Sequence, residues 1–310
     1  MAKQRKSLLA IMSITDDQAR TMLEDIRWPK GATCIHCGSQ SVTSLQGKST
    51  RPGVYKCKDC RKQFTVTVGT IFERSHIPLR KWVIAFYMMI TARKGVSALQ
   101  LQRDLDLVSY ESAWHMAHRL RLMMKTEQYA SKMGGTVEID EVYVGGKPRR
   151  YSAIPSKRGR GTRKTPVFVI VERNGSVRTA VVENVQKDTL QPLVRENVEE
   201  TAIVNSDEWK AYIGLSDHFA EHKVVKHRIG QYVNGDAYTN TAESFNALVK
   251  RAHYGIYHYI SKKHLHRYCV EFGYRWDHRY ENHIDAVEHG LGMAEGKRLM
   301  YKTLVDENQC

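Results

Sequence analysis

Residues 136–146 read TVEIDEVYVGG. Threonine, valine, isoleucine and tyrosine in that run favour a β-strand, and Gly145-Gly146 ends it. Three carboxylates, Glu138, Asp140 and Glu141, sit among these strand formers. Strands disfavour acids, so this crowding marks a place where negative charge is used or is well solvated. Side chains alternate faces along a strand, which puts Glu138 and Asp140 on one face and Glu141 on the other. Asp140 is the candidate site acid. Glu138 can support it from behind, and Glu141 is expected to be solvated or ion-paired.

The residues that follow continue the pattern. TPVFVIVERNGSVRTAVVENV (165–185) reads as a hairpin turning at Asn174-Gly175. DTLQPLVRENV (188–198) reads as a helix capped by Asp188, and TAIVNSD (201–207) as another apolar strand. TNTAESFNALVKRAHYGI (239–256) and SKKHLHRYCVEFGYRWDHRY (261–280) read as helices. Strand, hairpin, helix, strand and helix predict an α/β domain with a mixed sheet over residues 133–285.

Two more acids join Asp140 in this frame. Asp207 falls at the end of its strand, and Glu243 lies in the first turn of the next helix, with 35 residues between them. Three carboxylates brought together would repel and hold protons unless cations neutralise them. Mg²⁺ or Mn²⁺, as a pair of ions, suits such an oxygen-rich site and serves phosphoryl transfer. The alternative for Asp207 is a plain strand end. The alternative for Glu243 is a capping box with Asn240, three residues before it. Lys250 lies seven residues after Glu243 on the same helical face, with Arg251 beside it, and both are candidates to meet phosphate.

The N-terminal third carries a second chemistry. Cys34-x-x-Cys37 and Cys57-x-x-Cys60 are separated by nineteen residues, the spacing of a four-cysteine zinc site. The β-rich RPGVYKCKDCRKQFTVTVGTIF around the second pair predicts a zinc ribbon over 28–75, preceded by a helix within 1–27. Such a module has little core, so Zn²⁺ binding supplies most of its folding free energy. Residues 76–130 then read as helices. LRKWVIAFYMMITARKG ends at Gly95, Ser97 and Gln100 have the form of a capping box, and ESAWHMAHRLRLMMK follows a short break. This is helix-turn-helix-like and predicts a DNA-binding unit using Arg119 and Arg121, or else a plain bundle joining two domains. A final helix and tail are expected over 286–310.

Charge is consistent with a polyanionic partner. The 310 residues hold 48 Lys and Arg against 33 Asp and Glu, a net charge of +15. The run from Lys147 to Lys164 has eight basic residues and no acid, among them Arg149, Arg150, Arg158 and Arg160. Placed after the acidic strand, it is suited to hold a DNA backbone, or else it is a solvated loop. His253, His258, His264, His266 and His278 match no zinc spacing and are expected to serve packing, surface or phosphate contacts. Hydrophobic residues make up 42% of the chain, enough for a core, without a run long enough to span a membrane. The N-terminus has no secretory pattern, and a cytoplasmic protein is expected.

The ribbon ending CKDCRKQFTVTVGTIFERSHIPLRKW, then IDEVYVGGK, NSDEWKAY and NTAESFNALVKRAHYGIYHYISKKHLHRY, together resemble DDE transposases of bacterial insertion sequences, in the group with an N-terminal zinc ribbon. The resemblance spans about residues 20–285. It implies an RNase H-like catalytic domain with Asp140, Asp207 and Glu243 as the acid triad and Lys250 as the basic residue after it. In this group an Asn can replace the third acid, and Asn240 is nearby. It further implies metal-dependent cleavage of double-stranded DNA at element ends, strand transfer of the 3′-hydroxyl, and a homo-oligomer of at least two chains. Two rivals differ in chemistry: a DNA-binding regulator with an inactive RNase H-like domain, and a nuclease of the same fold without strand transfer.

Overall fold

The computed structural model describes residues 8–47, 49–125, 131–146, 162–225 and 238–306. The chain divides into two compact units, residues 1–125 with 280–310, and residues 126–279.

In the first unit, α1 (Leu8–Met12) and α2 (Asp16–Arg27) precede a three-stranded antiparallel sheet of β1 (Val42–Ser44), β2 (Tyr55–Cys57) and β3 (Gln63–Phe64). A capping box between Thr15 and Gln18 starts α2. Cys34, Cys57 and Phe64 are buried together, with the Trp28 ring edge-on to both Tyr55 and Phe64. A core this small leaves the ribbon dependent on its metal. Three helices follow, α3 (Leu79–Thr91), α4 (Ala98–Asp104) and α5 (Tyr110–Met123), with Ser97 Oγ accepting the Gln100 N–H at the start of α4. Helix α3 ends at Thr91 with Ala92 as its cap residue, and Gly95, at φ +95°, lies three residues further on in the turn.

The C-terminal segment returns to this unit. Helix α9 (His283–Gly292) packs on α2 and α3, and Arg27 reaches Glu295 at 2.7 Å while donating to the carbonyls of Val66 and Val68. The chain ends in the short helix α10 (Tyr301–Val305).

The second unit is built on a five-stranded sheet. Its strands are β4 (Thr136–Val144), β5 (Thr165–Glu172), β6 (Val177–Val181), β7 (Ile203–Asp207) and β8 (Glu221–Val225), in the order β6-β5-β4-β7-β8. β4, β5 and β6 pair antiparallel, whereas β7 is parallel to β4 and β8 parallel to β7. Counted within the unit this is the 3-2-1-4-5 mixed sheet of an RNase H-like fold. The β5–β6 hairpin turns through Asn174, at φ +60°.

Both faces of the sheet are covered, which is why β5 reads as a continuous apolar run. Val142, Val144, Val167, Val169 and Val171 face α7 (Asn240–Ala252) and α8 (Lys262–Asp277). Val137, Ile139, Phe168 and Ile170 face α6 (Lys187–Asn197) and the 3₁₀ turn Lys210–Tyr212. Helix α6 begins at Lys187 with Gln186 as its N-cap, so Asp188 sits inside the first turn.

Glu138 fixes α7 to β4. Its carboxylate is fully buried and accepts the backbone N–H groups of Thr241 (2.7 Å) and Ala242 (3.0 Å) and the Thr241 hydroxyl. Arg173 pairs with it at 2.7 Å and donates to the Tyr238 carbonyl. A side chain from the sheet therefore satisfies the helix N-terminus, where a negative charge is also favoured by the helix dipole. The N-cap residue Thr239 makes no side-chain cap bond, and Asn240 is the first helical residue. Asn240 and Glu243 thus do not cap the helix together. Glu138→Ala should cost about 3–5 kcal/mol, because it leaves Arg173 and the helix amides buried without their acceptor. Urea unfolding measures the loss, and hydrogen exchange at Thr241 and Ala242 should speed up. A loss below about 1 kcal/mol would remove this strut from the account.

Candidate active site

Strand register brings the first two acids together. β4 pairs in parallel with β7 through Val137↔Val204 and Glu138↔Asn205. Two residues further along both strands stand Asp140 and Asp207, on the same face. The Asp207 carboxylate accepts the Trp209 N–H at 3.0 Å, and the Trp209 indole is tied to the Val185 carbonyl at 2.9 Å. Trp209 packs on the core below, as an aromatic at that position should.

Asp140 is held at both oxygens. One accepts the Glu141 N–H and the other the Asn246 side-chain amide, each at 2.8 Å. Burial, followed by the charges of Glu141 and Asp207, pushes its carboxyl up to about 7, against the opposing pull of those two hydrogen bonds. Asp140 and Asp207 therefore crowd negative charge into a desolvated place, which a proton or a cation relieves.

Glu141 departs from its expected solvated role. It is buried on the opposite face and accepts the Tyr212 hydroxyl. Burial raises the Tyr212 pKa well above the ordinary phenol range, and the charge of Glu141 adds to this. Glu141 thus contributes to the field around Asp140 without facing the same side.

Asn246 is the residue that sequence reasoning missed. It is 3% exposed, and its side-chain oxygen is buried with no hydrogen-bond partner among the described residues. A buried carbonyl oxygen without a partner beside two carboxylates makes a hard-oxygen donor set that fits Mg²⁺ or Mn²⁺. The signal was available: Ala242, Phe245 and Val249 mark the apolar stripe of α7, and position 246, four residues after 242 and three before 249, lies on it.

Glu243 is exposed one turn before Asn246, and Lys250 and Arg251 are exposed one turn after it. Among the described residues, Asp140, Asp207 and Glu243 do not gather their oxygens within 4.8 Å of one another. Arg119 and Arg121, expected on a DNA-facing surface, are instead buried. Arg119 donates to the Glu73 carbonyl and lies 5.0 Å from the Trp82 ring, and burial lowers its pKa to about 10. His115 and His118 on the same helix are half-buried and buried, so most of α5 is core rather than a reading face. Lys147, Arg149, Arg150, Arg158 and Arg160 lie outside the described residues.

The metal expected in the ribbon has its ligands in place. Cys34, Cys37, Cys57 and Cys60 keep all four sulfurs within 4.8 Å, with Cys34–Cys60 at 3.6 Å and Cys37–Cys57 at 3.7 Å. A zinc tetrahedron with bonds of about 2.3 Å has edges of about 3.8 Å, so the cage matches Zn²⁺. The N–H groups of His36 and Cys60 point at Cys34 and Cys57 sulfur, at 3.4 and 3.5 Å, which favours thiolates. The cluster supports a structural zinc ion.

The chain thus carries a zinc ribbon and an RNase H-like mixed sheet that sets Asp140 and Asp207 on one face. Residues 132–277 match the ISXO2-like transposase domain, and residues 14–63 match the transposase zinc-ribbon domain. A protein of the transposable element ISH50 from Halobacterium salinarum is 34% identical over 251 residues, covering 77% of this chain and 83% of that one. The chain belongs to the ISXO2-like transposase family. A pre-cleavage Mos1 transpososome structure aligns over 70% of this chain and 80% of that chain, at 11% identity and a TM-score of 0.25, a similarity too slight to define the fold. Among the described residues, no helix is long and apolar enough to cross a membrane.

Two outcomes test the site without DNA. In the metal-free protein Asp140 titrates near 7, against about 3.9 in an unfolded chain. Between those values the folded protein keeps a proton that the unfolded chain has lost, so stability falls as pH rises through that window. Asp140→Asn should therefore raise the metal-free Tm more at pH 8 than at pH 5, by roughly 2–4 °C per kcal/mol recovered. An equal shift at both pH values would contradict the burial of this charge. In the ribbon, Cys57→Ser should release the bound zinc in a colorimetric assay and expose residues 28–70 to protease, while amides of the 133–279 sheet keep their exchange protection.

Proposed function

We propose that this chain is a DNA transposase that cuts element ends and joins the freed 3′-hydroxyl to target DNA. The observation that carries the reading is the alignment of Asp140, in the middle of β4, with Asp207 at the end of the parallel strand β7, two residues beyond the Glu138↔Asn205 pair, in a member of a transposase family. Asp140 and Asp207 hold divalent cations, with Glu243 supplied by α7 from above. Bound cations supply activation of the attacking oxygen and stabilisation of the leaving oxygen in an in-line displacement. Asn246 orients Asp140 and offers its own oxygen to the same site. Lys250 and Arg251 take the phosphates that flank the reacting one. Water attacks the phosphodiester at the element end and releases a 3′-hydroxyl. That hydroxyl attacks a target phosphodiester, displacing a second 3′-oxygen, and no covalent protein intermediate forms. The ribbon and helical unit recognise the terminal inverted repeats, and the working form is at least a dimer because two ends are joined.

The test is cleavage of a labelled terminal repeat in Mg²⁺. Asp140→Asn and Asp207→Asn should each lower the rate by about 10²-fold or more. Glu243→Gln should act like them, Asn246→Ala should cost about 10–100-fold, and Asn240→Ala should change little. Normal cutting by either Asp variant would overturn the assignment. Strand-transfer products on a plasmid target separate a transposase from a nuclease, and a DNA-binding regulator would give no cleavage at all.

A further inference from the structure

Helix α7 leaves its regular path just beyond the candidate site. His253–Tyr257 forms a π-turn, a feature often found at functional positions. His258 follows at φ +55°, ψ −40°, an unfavourable conformation for a residue with a side chain. The segment is pinned inward by buried His253 and Ile260, and by Tyr257, whose hydroxyl donates to Glu271 at 2.6 Å. Two tyrosines point outward from these anchors, Tyr254 at 45% and Tyr259 at 72% exposure. Tyr254 is steadied from its rim, because Lys164 Nζ donates to its hydroxyl at 2.8 Å and the His253 ring stands edge-on at 4.9 Å. Lys250, Arg251 and Lys262, all exposed and close in sequence to the pair, add positive charge to this segment.

From this geometry we infer that Tyr254 and Tyr259 form a stacking platform for unpaired DNA bases beside the reacting phosphate. The inference rests on the proposed cleavage chemistry for its biological setting. Lys250 follows Asn246 by four residues on α7, and Tyr254 lies four residues further on, in the π-turn. Eight residues of helix cover about 12 Å, so the platform begins there from the Asp140 contact. Stacked DNA advances about 3.4 Å per nucleotide along a strand, which places the platform three or four nucleotides from the reacting phosphate. Paired bases hide their faces in the stack, so exposed rings can be used only by bases that have left it. The lysines and arginine meet the backbone, and stacking on tyrosine tolerates any base.

Fluorescence anisotropy in EDTA tests this with two probes carrying the same terminal repeat. One is a blunt duplex. The other has its last four nucleotides mispaired, with 2-aminopurine among them. Wild type should bind the mispaired probe about tenfold tighter than the blunt one and quench its fluorescence. Tyr254→Ala with Tyr259→Ala should abolish both the preference and the quenching while blunt-duplex affinity stays within about twofold of wild type. Tyr→Phe at both positions should keep them. Tyr259→Ala alone, at the most exposed ring, should lose part of the preference, which separates stacking from misfolding of the double variant. Retention of the preference in the double Ala variant, or its absence in wild type, overturns the platform. Failure of the cleavage reading would appear separately, as no product in Mg²⁺ with an unchanged result in EDTA.

Discussion

The carboxylate of Glu138, buried between strand and helix, is the joint on which the site depends. It satisfies the first amides of α7 and pairs with Arg173, so the helix is fixed in height and rotation over β4. Every residue that α7 brings to the site inherits that setting. Asn246 meets Asp140 because Glu138, two residues away on the same strand face, has already placed the helix. Burying an ion pair gains little stability by itself, but losing one partner is costly, and that asymmetry favours a single register.

The second constraint is electrostatic. Asp140 and Asp207 are held close by strand pairing and kept partly from water by α7 and the core beneath Trp209. The sheet is stable despite this repulsion because two-sided apolar packing of β4 and β5 outweighs it. Function is thus placed where the fold is locally least content, and a cation turns the repulsion into binding.

Much of this was legible in the chain. The cysteine spacing gave the ribbon because two CxxC turns have few other uses, and β-branched runs around Asn174-Gly175 gave the hairpin. Alternation along TVEIDEVYVGG correctly separated Asp140 from Glu141. It could not show that both faces of the strand are covered, so Glu141, expected solvated or ion-paired, is instead buried and meets Tyr212. Local patterns misled wherever a distant partner decided the outcome. Asn240 and Glu243 have capping-box spacing, yet Glu138, about a hundred residues earlier, supplies the cap. Arg119 and Arg121 look like surface cations, yet both are buried in the helical unit, Arg119 over Trp82 and against the Glu73 carbonyl. Aliphatic stems and a planar guanidinium make arginine compatible with such a core.

Asp140 and Asp207 are proposed to hold divalent cations in one shared site, and calorimetric titration of Mn²⁺ into the zinc-loaded protein reads that binding. Wild type should bind Mn²⁺ with saturable heat, and Asp140→Asn and Asp207→Asn should each remove that binding while the ribbon keeps its zinc. Binding of equal affinity in wild type and in both variants would contradict the claim.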